Sequence, residues 1–332
     1  MAMWRREPEL LEHHREILDL RHFSSADLRP LLETEVQVWS ELLEWDYRGS
    51  AEMILRYVDA KILPGYAAVQ NGAVSGYCFF VYEGSKGVIG DLFVSEWAGL
   101  GGSVREVEQE LLRHVIDTLQ QSPGVHRIEA QLLVHDTGSL SSTFTDERFR
   151  RYPRLFMVLP LQGREAPRER DVRLPGDIEL RRWAEQDYQA VASAIMSAYR
   201  NHVDSEINDQ YRTVSGALRF LNNIVRFPGC GTFDPNASFV AVEKGARSVV
   251  GVILCSRVKD DVGHVTQVCL LPDERGRGIG EALLNASANE LRKRRFSYLT
   301  LTVTEANAGA VNLYKKLGYA VNRVFDAFVW EG

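Results

Sequence analysis

The chain has 332 residues, 45% of them hydrophobic and 25% charged, and a formal net charge of −6. This composition is typical of a globular protein, and the length is sufficient for two domains. The acidic balance argues against a general nucleic-acid-binding protein, which would carry a basic excess or stripe. No apolar run approaches the roughly 20 residues that a membrane-spanning helix needs. We therefore expect neither a nucleic acid nor a membrane as a partner.

The N-terminal residues and the cysteines favour a cytoplasmic protein. Residues 1–9 contain no apolar stretch of the signal-peptide kind. The four cysteines, Cys78, Cys230, Cys255 and Cys269, show no Cys-x-x-Cys spacing, and three of them lie in apolar runs. We therefore expect buried free thiols in a reducing compartment. No group of His, Cys and Asp residues has the spacing of a metal site, so no metal is expected.

The first half of the chain is predicted to contain strands followed by an amphipathic helix. An Asn71-Gly72 pair between two apolar runs is a strong indicator of a hairpin. Apolar residues at helical spacing distinguish the helix from the strands around it. In chain order the predicted elements are a short strand with helical segments (17–57), three strands (66–70, 76–81 and 88–94), a helix (105–119) and a strand (127–134).

The second half repeats this pattern after a predicted linker. Residues 162–177 are charged, carry two prolines and lack an apolar period, which is typical of a linker. The elements that follow are a strand with helical segments (178–225), three strands (238–243, 249–255 and 264–271), a helix (281–293) and a strand (298–303). Because the two sets match in order and spacing, we predict two tandem domains of one fold, at 1–161 and 178–332.

A glycine-rich turn joins the last strand of the second set of three to its helix. Gly276, Gly278 and Gly280 leave backbone amides unshielded at a helix N-terminus, which is a site for anions and for phosphate in particular. Arg275 and Arg277 are expected to add positive charge there. A dinucleotide fingerprint would need a glycine where Glu281 stands, and a nucleoside-triphosphate loop would need a lysine in that place.

Two motifs in this half carry a family resemblance. Arg275, Gly278 and Gly280 fit the pattern Gln/Arg-x-x-Gly-x-Gly/Ala, which resembles the acyl-CoA pyrophosphate loop of the GNAT N-acetyltransferase superfamily. The segment from Asn307 to Tyr319 resembles that superfamily's Asn-x-x-Ala-x-x-Leu-Tyr-x-x-x-Gly-Phe/Tyr helix, because an asparagine can cap a helix and a glycine can end it. The resemblance implies two tandem α+β domains, each a mixed, mostly antiparallel sheet flanked by helices.

The resemblance also implies acetyl-CoA as the co-substrate. In the family the tyrosine matched by Tyr314 protonates the departing thiolate as general acid, and the amide matched by Val268 faces the thioester carbonyl, where negative charge develops. The residues expected to contact acetyl-CoA are Val268, Leu270, Arg275, Gly276, Arg277, Gly278, Ile279, Gly280, Asn307 and Tyr314.

The base that deprotonates the acceptor is expected at His264. Many family members carry a glutamate eleven residues before the arginine that opens the loop, and this chain has His264 there. A neutral imidazole can accept a proton near pH 7. The alternative is a solvated histidine at the start of a strand, and His202 is a weaker candidate for the same role.

The first half is expected to be catalytically silent. Its glycine-rich turn at 99–102 lacks the arginines, Val104 stands where the second half has Gly280, and no tyrosine matches Tyr314. The layout is similar to the tandem GNAT family of mycothiol synthase, although that family has glutamate where His264 stands.

The function implied is acetyl transfer to a primary amine, on a small molecule, by direct attack in a ternary complex. Two alternatives stay open: acetylation of a protein or peptide, and a non-catalytic acyl-CoA-binding module. We expect a monomer or a homodimer.

Overall fold

The computed structural model describes residues 15–96, 103–168, 171, 173–226, 231–246 and 248–332. Two sequence predictions lie outside these ranges, namely the state of Cys230 and the glycine-rich turn at 99–102. In the described part of the chain, Cys78, Cys255 and Cys269 are buried free thiols, as predicted. None of the helices in these ranges is both long and apolar enough to cross a membrane.

The first half contains the predicted elements, followed by a further helix and a further strand. The helix that follows the three strands begins at a capping box, because the Ser103 side chain accepts from the backbone of Glu106 and the Glu106 side chain accepts in return. The elements in chain order are β1 (Arg15–Asp19), α1 (Ser25–Leu43), α2 (Arg48–Asp59), β2 (Gly65–Gln70), β3 (Ala73–Glu83), β4 (Lys86–Val94), α3 (Val104–Gln121), β5 (Arg127–Gln131), α4 (Ser141–Asp146) and β6 (Arg150–Pro160).

The second half repeats the order with a third helix before its strands. Its elements are β7 (Ile178–Arg182), α5 (Tyr188–Ala198), α6 (Val203–Ile207), α7 (Val214–Arg226), β8 (Thr232–Phe233), β9 (Phe239–Glu243), β10 (Val249–Lys259), β11 (Val262–Leu270), α8 (Ile279–Lys293), β12 (Tyr298–Thr304), α9 (Ala308–Leu317) and β13 (Ala320–Glu331). The helix predicted from residue 281 therefore begins two residues earlier, at Ile279.

All strands join one sheet, and the two halves exchange their last strands. The order is β1-β2-β3-β4-β5-β13-β6-β12-β11-β10-β9-β7, with β8 beside β10. The last strand of the second half, β13, thus pairs with β5 of the first half, and β6 of the first half pairs with β12 of the second. The sequence analysis predicted neither β6 nor β13. The division at 1–161 and 178–332 remains a prediction, and this exchange ties its two parts together.

Alternate side chains of each strand enter different cores, as strand geometry requires. In β10, Val252 and Leu254 pack with α5 and α7, whereas Ile253 and Cys255 pack with α8 and α9. In β6, Phe156 joins the core under α1 and α2, whereas its neighbours join the core under α8. One face of the sheet therefore carries α1, α2, α5 and α7, and the opposite face of the second half carries α8 and α9.

In each half the two parallel central strands separate part of the way along. The pairing of β11 with β12 runs from Val262 opposite Tyr298 to Val265 opposite Leu301 and then stops, although β11 continues to Leu270. The pairing of β4 with β5 also stops, at Ile89, before the end of β4. β11 thus splays from β12, and the splay opens a gap in the sheet beside the glycine-rich turn.

Candidate active site

The glycine-rich turn has the backbone of an anion cradle. Gly276 and Gly278 both adopt left-handed conformations, with φ of 77° and 82°, and Gly278 is the N-cap of α8. A side chain would be strained at either position. A Cβ atom built on either glycine would meet no atom within 4 Å, so the space above the turn is open. The N-terminus of α8 therefore faces an accessible space of the kind that a pyrophosphate occupies.

The two arginines of the turn contribute less free charge than expected. The Arg275 guanidinium donates from Nη2 to the carbonyl of Ala198, at the end of α5, at 2.7 Å. Arg277 forms ion pairs with Asp177 at 2.7 Å and with Glu274 at 2.5 Å. The expectation of full positive charge at the turn is therefore wrong for Arg277, because two carboxylates already offset its charge.

A cavity of about 910 Å³ leads from this turn through the splay to the opposite face of the sheet. Of the predicted site residues, Arg277 and Ile279 do not line it. Arg277 lines a separate space beside the turn, and the Ile279 side chain is fully buried in the core. The predicted residues that line the cavity are His264, Val268, Leu270, Arg275, Gly276, Gly278, Gly280, Asn307 and Tyr314.

Tyr314 reaches this cavity from a short, well-capped helix. The Asn307 side chain accepts from the amide of Ala310 at 3.3 Å, and Gly318 ends α9 with φ of 100°, as predicted. Burial, and after it the carboxylate of Asp204, raise the pKa of the Tyr314 hydroxyl above its ordinary value. The phenol therefore stays protonated at neutral pH and can donate a proton or a hydrogen bond.

The end of β11 directs backbone groups into the splay. The Leu271 amide donates to the Val250 carbonyl of β10 at 2.9 Å. Peptide groups alternate in direction along a strand. The amides of Val268 and Leu270 therefore point away from β10, to the edge of β11 that is no longer paired with β12. The Cys269 side chain packs with α5 and α7, on the face opposite to Val268 and Leu270. It is therefore a packing residue, as predicted.

His264 is buried between two aromatic rings. Its imidazole contacts Trp45 edge-on, with centroids 4.9 Å apart, and lies parallel to Phe156 at 6.2 Å. Its Nδ1 lies 2.8 Å from the Thr300 hydroxyl, which donates to a backbone carbonyl. The hydroxyl must then accept from Nδ1, so this contact assigns the lone pair to Nε2. Burial, and then the positive charge of Arg154, lower the pKa of His264 to about 3. The ring is therefore neutral but a weak base.

The polar residues between Tyr199 and Arg212 fall into two groups, and one group lines the cavity. Tyr199, His202, Asp204 and Tyr211 line the cavity. Asp204 accepts from the Thr304 hydroxyl, and its oxygen lies 3.6 Å from Nδ1 of His202. This carboxylate is the acidic group of the acceptor side.

The remaining polar residues of that segment connect it to the first half. Lys86 pairs with Glu129 at 3.0 Å and with Asp209 at 2.7 Å, and both Lys86 and Glu129 are buried. Arg127 pairs with Glu129 at 2.6 Å and donates to the carbonyl of Glu206 at 2.5 Å. Removing one partner of such a buried network leaves an uncompensated charge, which is strongly destabilising. The network therefore fixes α6, and with it Asp204, against the first half.

The first half also supplies part of the cavity wall. Trp45, from the connection between α1 and α2, and Leu133, after β5, cover its acceptor side, together with Gln131 and Arg154. Arg154 lies on β6, the exchanged strand that pairs with β12. Sequence analysis could not find these residues, because they belong to the first half and only the pairing of strands between the halves brings them to this cavity.

The corresponding place in the first half is filled by its own side chains. Asp91 of β4 accepts from the Tyr47 hydroxyl, and Glu35 of α1 accepts from Tyr77 at 2.7 Å and from the Trp39 indole at 3.1 Å. All five side chains are buried. Burial, and then the charge of Asp91, raise the pKa of Glu35 well above its ordinary value. The pair therefore retains a proton at pH values where an exposed glutamate has lost it.

Part of the second half is similar in sequence to known acetyltransferases. Residues 189–319 match the family described as Acetyltransferase (GNAT) family. The mycothiol acetyltransferase of Thermobifida fusca is 36% identical over 96 residues, which cover 26% of this chain and 29% of that relative. The alignment thus spans less than a third of the relative's length.

Two solved structures resemble nearly the whole chain in fold. A GCN5-related N-acetyltransferase from Sphaerobacter thermophilus has a TM-score of 0.65 at 19% identity, covering 96% of this chain and 95% of that one. A tandem GNAT protein from the clavulanic acid biosynthesis pathway has a TM-score of 0.53 at 13% identity, covering 96% and 98%. At these identities the likeness concerns the fold alone. The GNAT acetyltransferase family model thus matches the part of the second half that holds the glycine-rich turn and Tyr314, and the predicted α+β GNAT fold is confirmed for nearly the whole chain.

Proposed function

We propose that the chain is an acetyl-CoA-dependent N-acetyltransferase that transfers the acetyl group to a primary amine of a small molecule. The observation that carries this proposal is the single cavity that joins the glycine-rich turn, the Tyr314 hydroxyl and the Asp204 carboxylate. A donor entering from the turn and an acceptor entering from the opposite face of the sheet would meet at the splay. This arrangement supports direct attack in a ternary complex, which needs no cysteine nucleophile.

The donor side fits acetyl-CoA. Gly276 and Gly278 leave room over the N-terminus of α8, which suits the pyrophosphate. The amides of Val268 and Leu270 are available to the pantetheine arm, since β12 has left that edge of β11. Acetyl-CoA supplies the thioester, and the chain orients it against the acceptor.

Tyr314 and the Val268 amide are the groups we assign to the transfer itself. The amide would stabilise negative charge on the thioester oxygen as the amine attacks. The protonated Tyr314 hydroxyl would donate to the departing sulfur. These roles extend the family resemblance to the residues that line the splay.

Two groups on the acceptor side can receive the proton of the amine. His264 remains our candidate, because its Nε2 carries a lone pair and the residue lines the cavity. Its pKa of about 3 makes it a weak base, however. Asp204 is the second candidate, since a carboxylate on the same cavity also attracts an ammonium group. The acetylation rates of His264→Gln and Asp204→Asn across pH 5–9 would distinguish them.

A small molecule suits the acceptor side better than a protein does. Trp45 and Leu133 of the first half add apolar walls to this side of the cavity, which suits a small ligand, whereas a peptide requires an open groove. The name of the Thermobifida fusca relative, a mycothiol acetyltransferase, also supports a small-molecule acceptor. We propose that the first half is silent in catalysis and completes this pocket.

A thiol-release assay with acetyl-CoA across a panel of small amines tests the proposal. We expect turnover on at least one class of small amine and weaker turnover on peptides. Turnover on peptides alone would favour the protein N-acetyltransferase. Binding of acetyl-CoA without turnover on any amine or peptide would favour the non-catalytic module.

A further inference from the structure

The guanidinium of Arg154, which lines the cavity, is incompletely hydrogen-bonded. Its Nη2 donates to the Thr302 hydroxyl at a long 3.4 Å. Its Nε is buried and has no hydrogen-bond partner among the residues that the structure describes. By contrast, Arg127, a few strands away, is satisfied by carboxylates and a carbonyl. A buried donor without a partner costs free energy. The guanidinium of Arg154 can therefore gain hydrogen bonds from a ligand that supplies an acceptor.

Asp204 and Arg154 are both hydrogen-bonded to strand β12. Arg154 contacts the hydroxyl of Thr302, and Asp204 contacts the hydroxyl of Thr304. These two threonines are two residues apart on β12, so they share a face and are separated by about 7 Å. A positive and a negative group therefore project into one cavity, further apart than the partners of an ion pair.

This arrangement matches a molecule with two opposite charges. A guanidinium binds carboxylates and phosphates with two parallel hydrogen bonds, and a carboxylate binds an ammonium group. Resting on the function proposed above, we propose that the acceptor is an amine that also bears an anionic group, a carboxylate or a phosphate, with Arg154 binding the anion and Asp204 the ammonium.

The anion would also influence His264. After burial, the charge of Arg154 is the second cause of the low pKa of His264. The other groups that contact the ring are uncharged, namely Trp45, Phe156 and the Thr300 hydroxyl. An anion bound to Arg154 offsets its charge and raises the pKa of His264 toward its ordinary range. The right acceptor thus strengthens the neighbouring base.

Acetylation of matched substrate pairs by the full-length protein tests this inference. The panel contains linear ω-amino acids of two to six carbons with their methyl esters, and aminoalkyl phosphates of the same lengths with the matched alkylamines. We expect kcat/KM for an acid or a phosphate to exceed that of the matched ester or alkylamine by about 10- to 100-fold, the effect of a charge-assisted hydrogen bond. Whether the acids or the phosphates react faster identifies the anion.

Variants assign the preference to Arg154. In Arg154→Gln the preference over the neutral analogue should disappear, mainly through KM, and Arg154→Lys should keep part of it because it keeps the charge. Arg29→Gln, which removes an exposed arginine paired with Glu52, is the matched control and should change nothing. Thermal melting of each variant checks that it is folded. If Arg154→Gln does not fold, the reduced preference expected of Arg154→Lys is the test.

Two results would overturn the inference and leave the proposed function standing. One is a wild-type protein that acetylates the neutral analogues as well as it acetylates both the acids and the phosphates. The other is an Arg154→Gln protein that retains the preference for acids. Absence of acetylation on every amine, together with absence of acetyl-CoA binding, would instead overturn the proposed function and this inference with it.

Discussion

The ends of α9 and α4 have the same backbone and different chemistry. The amide of Tyr319 donates to the carbonyl of Tyr314 at 3.0 Å, and the amide of Phe149 donates to that of Phe144 at 3.0 Å. The residue before each amide, Gly318 or Arg148, is left-handed. Phe144 therefore stands where Tyr314 stands. Its ring lies parallel to that of Phe328, with centroids 4.0 Å apart, and is fully buried. The first half has kept the helix end and lacks the hydroxyl.

The two halves also differ on the face of the sheet where the acceptor would bind, because side chains fill this space in the first half and a cavity lies there in the second. In the first half, Glu35, Asp91 and the aromatic residues around them satisfy one another and fill the space. In the second half, Asp204 and Arg154 face a cavity. We infer from this comparison that the first half supports the fold, because its carboxylates are enclosed and paired, whereas the second half holds the site, because its charged groups line a cavity. Because β6 of the first half pairs with β12 of the second, Arg154 of the first half lines this cavity.

The largest expected effect concerns the Tyr314 hydroxyl, which is the chemical difference between the ends of α9 and α4. Tyr314→Phe, which gives α9 the residue of α4, should lower kcat by roughly 10²- to 10⁴-fold, the usual contribution of a general acid. The affinity for acetyl-CoA should change little, because the ring is retained. Steady-state acetylation kinetics and calorimetric titration measure the two quantities.

The reverse change, Phe144→Tyr, is the matched control. It should add no activity and should cost about 1 to 3 kcal/mol of stability, because it buries a hydroxyl in an apolar core. A Tyr314→Phe protein with unchanged kcat would contradict the role given to this residue.

The next effect concerns the glycine-rich turn. Gly278→Val forces a β-branched residue into a left-handed conformation and fills the space over α8, so acetyl-CoA should bind roughly 10- to 100-fold more weakly. Gly124→Val, in the first half, is a matched control, because Gly124 has the same φ of 82° and open space around it. It should lose stability to a similar degree and bind acetyl-CoA normally. Equal affinity in the two variants would show that the turn does not hold the donor.

A smaller effect concerns the carboxyl pair of the first half. The folded pKa of Glu35 lies above the unfolded value near 4.5, so the stability that this group contributes below that pH is lost as pH rises. Glu35→Gln cannot ionise and still accepts from Tyr77 or Trp39. Its free energy of unfolding relative to wild type should therefore increase from pH 5 to pH 8 in denaturant titrations. A difference that does not change with pH would mean that Glu35 is ionised in the folded protein.

The second half should show the opposite sign. The folded pKa of His264, about 3, lies below its unfolded value of 6.5, so the unfolded chain binds a proton that the folded chain does not. Wild type should lose stability as pH falls from 6.5, by at most about 1.4 kcal/mol per pH unit from this group. His264→Gln should lack this part of the acid sensitivity in the same titrations.

Sequence patterns predicted what is local and missed what is shared between the halves. The turn at Gly276–Gly280, the caps at Asn307 and Gly318, and the order of the elements follow from residue spacing. Strand β6 was missed because Pro153 and Pro160 lie in it, and proline usually marks an edge or a non-strand. No local pattern indicates that a strand pairs with the other half, so the contribution of Arg154 depended on the three-dimensional structure. The ion pairs of Arg277 with Asp177 and Glu274 were likewise visible only in the three-dimensional structure.

The most direct test of the difference between the halves is the stoichiometry of acetyl-CoA binding to the full-length protein by isothermal titration calorimetry. If only the turn at Gly276–Gly280 holds the donor, the wild type should bind one acetyl-CoA per chain. Gly278→Val should weaken that single site. Two sites per chain, or one site that Gly278→Val leaves unchanged, would contradict the account.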